Sequence, residues 1–232
     1  MKYKIYFLVF AFIVCSKVTG NAQISISDVK LLTNAATYKG SKEDLLKLIA
    51  KNIRYPKDAL LSNKLGTVVG IIKISSSGDI IEVGSLNKAD AAFKEAFVQV
   101  AQKTNGKWVP SNDTAQFFYA VIPVQFTLHE SGYSLLEMHK PAYFQETIVS
   151  TVAGRPGAFN GLYEKLENSL VTEVNEMVRN EDYNKAITHL IELVNLQPLH
   201  TGYYEPLISL LQKTGNPIDA EYYEQVKNLL SN

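Results

Sequence analysis

The stretch Asn52–Ile74 limits the fold more than any other part of this 232-residue chain. Its first half reads Asn52-Ile53-Arg54-Tyr55-Pro56-Lys57-Asp58-Ala59, and its second Gly66-Thr67-Val68-Val69-Gly70-Ile71-Ile72-Lys73-Ile74. The Pro56 ring clashes with a helical predecessor, so Tyr55 is extended and a helix arriving from the N-terminal side must stop. Pro56 can itself open a new turn, because a first helical position has no use for its missing N–H. Val68, Val69, Ile71, Ile72 and Ile74 are β-branched and nearly continuous, as in a strand covered on both faces at least at its start. Helix, arrest and doubly covered strand together call for a layered α+β arrangement.

The flanking sequence extends this pattern. Ser41-Lys42-Glu43-Asp44 marks a helix start, with Ser41 as acceptor for the first-turn amides and two acids at the positive dipole end. Leu45, Leu48, Ile49 and Ile53 then recur at helical spacing. After the first strand, Ser75–Asp79 reads as a hairpin turn, with Gly78 free to take positive φ, and Ile80–Leu86 as the returning strand. Asp90 caps a helix over Ala91–Thr104, whose Phe93, Phe97 and Val100 form one apolar stripe, and Asn105-Gly106 ends it. Trp108 anchors the helix exit to the sheet. Gln116–Leu128 is the third and longest strand. Phe118, Ala120, Ile122, Val124, Phe126 and Leu128 share one face, and Phe117, Tyr119, Val121, Gln125 and Thr127 the other. Pro123 cannot donate to a ladder, so it points to an edge position or a bulge.

Asn52-Ile53-x-Tyr55-Pro56, Trp108-x-Pro110 and the closing strand with Pro123-Val124-Gln125-Phe126 appear in an order that resembles the C-terminal domain of the TonB family. The resemblance covers residues 41–128, or 88 of 232. Its motif residues here are Asn52, Tyr55, Pro56, Trp108, Pro110 and Pro123. It implies a small three-stranded antiparallel sheet packed with two helices, whose edge accepts an extended peptide from an outer-membrane transporter. On that basis the strand Gln116–Leu128 is an exposed edge, and Phe117, Tyr119, Val121 and Gln125 are the partner-binding residues. Energy transducers of the family also carry a membrane anchor and a long, often proline-rich spacer. Only about 20 residues separate the leader described next from this domain, and the first proline is Pro56. Only the binding mode is therefore carried over.

Residues 1–22 read as a secretory signal peptide. Lys2 and Lys4 precede an unbroken apolar run over Ile5–Val14, and small residues follow at Gly20 and Ala22. Ten apolar residues are too few to span a bilayer, which takes about 20. The chain balances 23 basic against 23 acidic residues, so loss of a leader with three lysines and no acid leaves a net charge of −3. Nucleic acid is not an expected partner. Cys15, the only cysteine, lies in the leader, so the exported chain is expected to have no disulfide, thiol chemistry or cysteine–metal site. Residues 23–40 are a polar lead-in, and 129–159 form an irregular inter-domain segment.

From 160 to 232 the pattern is helical: Leu162–Arg179, Ala186–Leu196, Tyr203–Lys213 and Ala220–Leu230. A 34-residue offset aligns Ala186 with Ala220, Val174 with Ile208 and Met177 with Leu211. This is the period of the tetratricopeptide repeat, which the region resembles. Pro217 departs from that pattern, as does Asn180-Glu181 where a glycine is usual. Two repeats alone leave an open end for the first domain or a partner to cover.

Catalytic chemistry has no visible address. His129, His139, His189 and His200 lack metal-ligand spacing, and neither a nucleophile elbow nor a glycine-rich phosphate or dinucleotide loop is present. Glu164, Glu167, Glu173 and Glu176 read as a solvated helix face, and Asn112-Asp113-Thr114 as a loop. The expectation is an exported, non-enzymatic adaptor in the periplasm, alongside the outer membrane, using no cofactor or metal. It would bind a protein partner such as a transporter or envelope complex, with dimerisation open and no membrane span after cleavage. The alternatives are a structural or assembly subunit of an envelope complex, and an enzyme with a cleft between the domains using carboxylates such as Asp58 and Glu82.

Overall fold

The computed structural model describes residues 34–111, 115–133, 148–152 and 155–231. The leader, most of the lead-in, the Asn112–Thr114 loop, His139 and the 134–147 part of the inter-domain segment lie outside them. The described chain is a mixed α+β structure. In order it comprises β1 (Ala36–Tyr38), α1 (Lys42–Asn52), α2 (Lys57–Leu61), β2 (Gly66–Ser75), β3 (Ile80–Ser85), α3 (Ala91–Ala101), β4 (Trp108–Pro110), β5 (Phe117–Leu128), β6 (Ile148–Val152), α4 (Leu162–Arg179), α5 (Tyr183–Leu196), α6 (Tyr204–Lys213) and α7 (Pro217–Ser231).

Local chemistry sets these boundaries. Ser41 and Asp44 form a reciprocal capping box that starts α1. The chain turns extended at Ile53, before the Tyr55-Pro56 arrest, and α2 begins just after Pro56. Asp90 accepts from the Ala92 N–H at the start of α3. Gly78 takes φ +87°, and a side chain there would also collide with the Trp108 carbonyl, so the turn needs glycine twice over.

β3, β2 and β5 form the expected antiparallel trio, with Val69 opposite Pro123. Two features differ from the sequence expectation. A fourth strand, β6, drawn from the segment read as inter-domain, pairs in parallel with β5 from Val124 to Leu128. A separate two-stranded sheet joins β1 to β4, placing Tyr38 opposite Trp108.

β5 is consequently an inner strand, which corrects the expectation of an exposed edge. The Tyr119 N–H donates to the Asn34 carbonyl, on the side away from β2. Period two puts the Pro123 nitrogen on that same side, between the Ala35 bridge at Tyr119 and the start of β6 at Val124. Proline is tolerated there because its nitrogen faces away from β2.

The sheet separates two cores. On one face Val68, Ile72, Phe118, Ala120, Ile122, Val124 and Phe126 pack with Leu45, Ile49, Phe93, Phe97 and Trp108. On the other, Val69, Ile71, Tyr119 and Val121 join residues of α4–α7, among them Leu190, Tyr204, Leu207, Tyr223 and Val226. The four C-terminal helices pack successively and seal the second face. Ala186 and Ala220 are both buried.

Candidate functional site

The four residues expected to grip a guest strand do not form a free surface. Tyr119 and Val121 are wholly buried under the helical half. Gln125 is 4% exposed, and its amide donates to the Tyr133 carbonyl at 3.1 Å. Phe117 is half-buried, with the Lys73 ammonium 4.6 Å above its ring. The doubly apolar pattern of β5 thus records two covered faces.

The motif residues mainly organise structure. Tyr55 meets Phe93 and Phe126 edge-on at 5.7 Å each and donates to the Lys64 carbonyl; burial raises its hydroxyl pKa. The Trp108 indole is 2% exposed, donates to Thr104 Oγ1 at 2.9 Å and meets Tyr38 edge-on. Pro110 pairs with Ala36 at the end of the small sheet. Asn52 donates to the Leu48 carbonyl at 2.7 Å and accepts from Lys103 at 2.8 Å.

Two concave surfaces stand out. The first, of about 410 Å³, lies where the sheet meets α4 and α5. Its apolar lining includes Leu65, Phe93, Leu166, Leu170 and Leu196, and its rim carries Lys64, Lys88, Asp90 and Glu192. Both rim lysines are neutralised: Lys64 by Asp90 at 2.6 Å and Lys88 by Asp219 at 3.0 Å. The bond from Lys88 holds the Asp219 carboxyl below its ordinary range. For Asp90, burial pushes upward, but bonds from Lys64 and the Ala92 N–H outweigh it and leave the pKa lowered.

Beneath this groove runs a polar seam that the sequence did not reveal. The Tyr133 hydroxyl donates to the Leu196 carbonyl and is 2.6 Å from Thr67 Oγ1. Asn87 bridges the Thr67 carbonyl and the Val69 N–H. Tyr222 donates to the Leu86 carbonyl at 2.5 Å, tying α7 to the sheet. Glu167, read as solvated, is half-buried and accepts from both Tyr163 and Tyr203. Apart from the Tyr163–Glu167 pair on one helix, these bonds join residues 18 to 136 positions apart, beyond the reach of a local pattern. Neither Asp58 nor Glu82 lines the groove.

The second surface, of about 360 Å³, lies between the Asn52–Asp58 turn and α3. Arg54, Lys57, Asp58, Glu95 and Lys103 bring charge to it, and Tyr55, Pro56, Ala92, Ala96 and Val100 supply apolar lining.

No cluster of three or more potential metal ligands occurs among the described residues. His129 lies near Glu130, His189 near Glu173 and Glu192, and His200 stacks on Tyr203. No described helix is long and apolar enough to cross a membrane. No family model matches the chain, and neither a curated protein nor a solved structure matches it.

Proposed function

We propose that this chain is an exported, non-enzymatic protein-binding adaptor of the bacterial cell envelope, whose sheet accepts an extended segment of its partner at β3. The observation that carries this reading is the open side of β3. The strand ends the sheet order, and no described strand pairs with its outer side. The Leu86 N–H donates to Val69, so period two turns the N–H groups of Val83 and Ser85 outward. Ile81 is 45% exposed beside them. The Ile80 N–H is already taken by Asn105 Oδ1, and the register shifts between Lys73 and Ile74, so a guest pairs mainly along Glu82–Ser85.

The order of helix, Tyr55-Pro56, hairpin, helix, Trp108 and long strand supports a TonB-like module. The two helix pairs α4–α5 and α6–α7, with buried Ala186 and Ala220 one 34-residue period apart, support a tetratricopeptide-like second half. In this arrangement the helices are spent partly on covering β2 and β5. The guest surface consequently moves from β5 to β3.

A photo-crosslinking residue at Ile81 in the exported chain should capture a partner that the same residue at Val178, on α4, does not. Val83→Pro should abolish capture in protein that circular dichroism shows to be folded, since it removes an outward donor. Val83 is also a core residue, so the variant will lose stability as well. Equal capture from both positions, or capture that survives Val83→Pro, would rule out strand addition at β3.

A further inference from the structure

Where a basic side chain of this protein is pinned in place, an acid usually pins it. Lys64, Lys88, Lys185 and Lys227 each meet a carboxylate at 2.6 to 3.0 Å. Lys213, which donates to the Tyr183 hydroxyl at 2.7 Å, is one exception, and the cleft between the Asn52–Asp58 turn and α3 holds two more. Lys103 Nζ donates to Asn52 Oδ1, and Asn52 is itself fixed by the Leu48 carbonyl. Arg54 donates through one terminal nitrogen to the carbonyls of Lys51 and Ile53, at 2.8 and 2.9 Å. Neutral oxygens thus position both cations, and no described carboxylate forms an ion pair with either. The remaining donors of the guanidinium fork stay available.

We propose that this cleft binds a small peptide-like carboxylate: one ionised carboxyl group next to an N–H donor on a short, partly apolar body. Arg54, Lys57 and Lys103 face Asp58 and Glu95 in the lining, an excess of one positive charge that a monocarboxylate neutralises. A phosphate dianion would overshoot this balance and meet two acids. The planar guanidinium matches a carboxylate through paired hydrogen bonds. Asp58 and Glu95 can accept the neighbouring N–H, and Gln99 already steadies Glu95 from 3.2 Å. Ala92, Ala96 and Val100 recur every four residues on α3, so their small or branched side chains leave an apolar floor opposite Tyr55 and Pro56. This site stands whether or not β3 receives a strand.

A free amino acid and the C-terminus of a peptide share this chemistry, and the experiment separates them. The full chain, isotope-labelled, is titrated with N-acetyl-alanyl-alanine, the same peptide amidated at its C-terminus, free alanine and inorganic phosphate, and backbone amide shifts are followed by NMR. The peptide acid should saturably shift the amides of Arg54, Lys57 and Lys103, and the amidated peptide should not. Arg54→Gln and Lys103→Gln should each weaken binding about tenfold, the value of one charged hydrogen bond, while Lys64→Gln leaves it unchanged. Binding of alanine as tight as that of the peptide acid assigns the site to free amino acids, and weaker binding of alanine assigns it to peptide termini. Arg54 is exposed, so its variant keeps the test valid if Lys103→Gln disturbs the α3 exit. The proposal is overturned by the absence of a saturable shift, by equal binding of the amidated peptide or phosphate, or by a folded Arg54→Gln that binds unchanged.

Discussion

Phe97 lies directly over Gly70: a Cβ built on Gly70 would stand 2.1 Å from Cζ of the Phe97 ring. The central strand therefore carries a glycine in its interior, where it would otherwise weaken the strand, because α3 approaches the sheet there through an aromatic ring. Gly70→Ala should cost about 1–3 kcal/mol by overpacking. In the Phe97→Leu background the cost should shrink, and a double-mutant cycle in urea measures the coupling. Equal cost in both backgrounds would mean that the glycine serves the backbone alone.

Trp108 closes the same core from the side. It is buried against Tyr38 and held by Thr104, so Trp108→Ala should cost about 3–5 kcal/mol in denaturant unfolding, the range for deleting a large core aromatic. A loss below about 1 kcal/mol would contradict its burial.

Tyr222 joins the helical half to the sheet. Tyr222→Phe removes the donor to the buried Leu86 carbonyl and should cost about 1–3 kcal/mol. Because one core spans β2, β5 and α4–α7, unfolding should remain a single transition by both tryptophan fluorescence and circular dichroism. Separate transitions at the two wavelengths would show that the halves unfold independently.

Ala186 and Ala220 are packed too tightly to grow. Replacing either with leucine should cost about 1–3 kcal/mol, read as a lowered thermal midpoint. Two tolerated substitutions would count against equivalent close-packing positions.

Acid should loosen the Lys88–Asp219 pair at the groove rim. Asp219 has a folded pKa below its ordinary 3.8, chiefly through the bond from Lys88. A carboxyl depressed in the folded state adds stability above its unfolded pKa and loses it as pH falls through the folded one. Asp219→Asn should therefore flatten the decline in thermal midpoint below about pH 4, modestly because the pair is partly exposed and screened by salt. An unchanged acid slope would show that this pair contributes nothing measurable.

The sequence by itself determined what a few neighbouring residues can decide. Pro56 ends α1 and opens α2, Ser41 and Asp90 cap their helices, Gly78 permits the hairpin, and the β-branched run makes β2. The limits Leu162–Arg179 were legible for the same reason, because helical periodicity is a local property. Pro123 marks where that reach ends. Its missing donor is a local fact, and it does fall on a side where β2 has no use for it. Whether that side is open depends on Asn34, Ala35 and β6, at least 24 residues away in either direction along the chain. Tertiary structure alone decided this. It also buried Gln125 as a brace and turned Glu167 into an acceptor for two tyrosines. Side-chain identity limits what a residue can bond to, but only the packing of distant elements decides which partner comes within 3 Å.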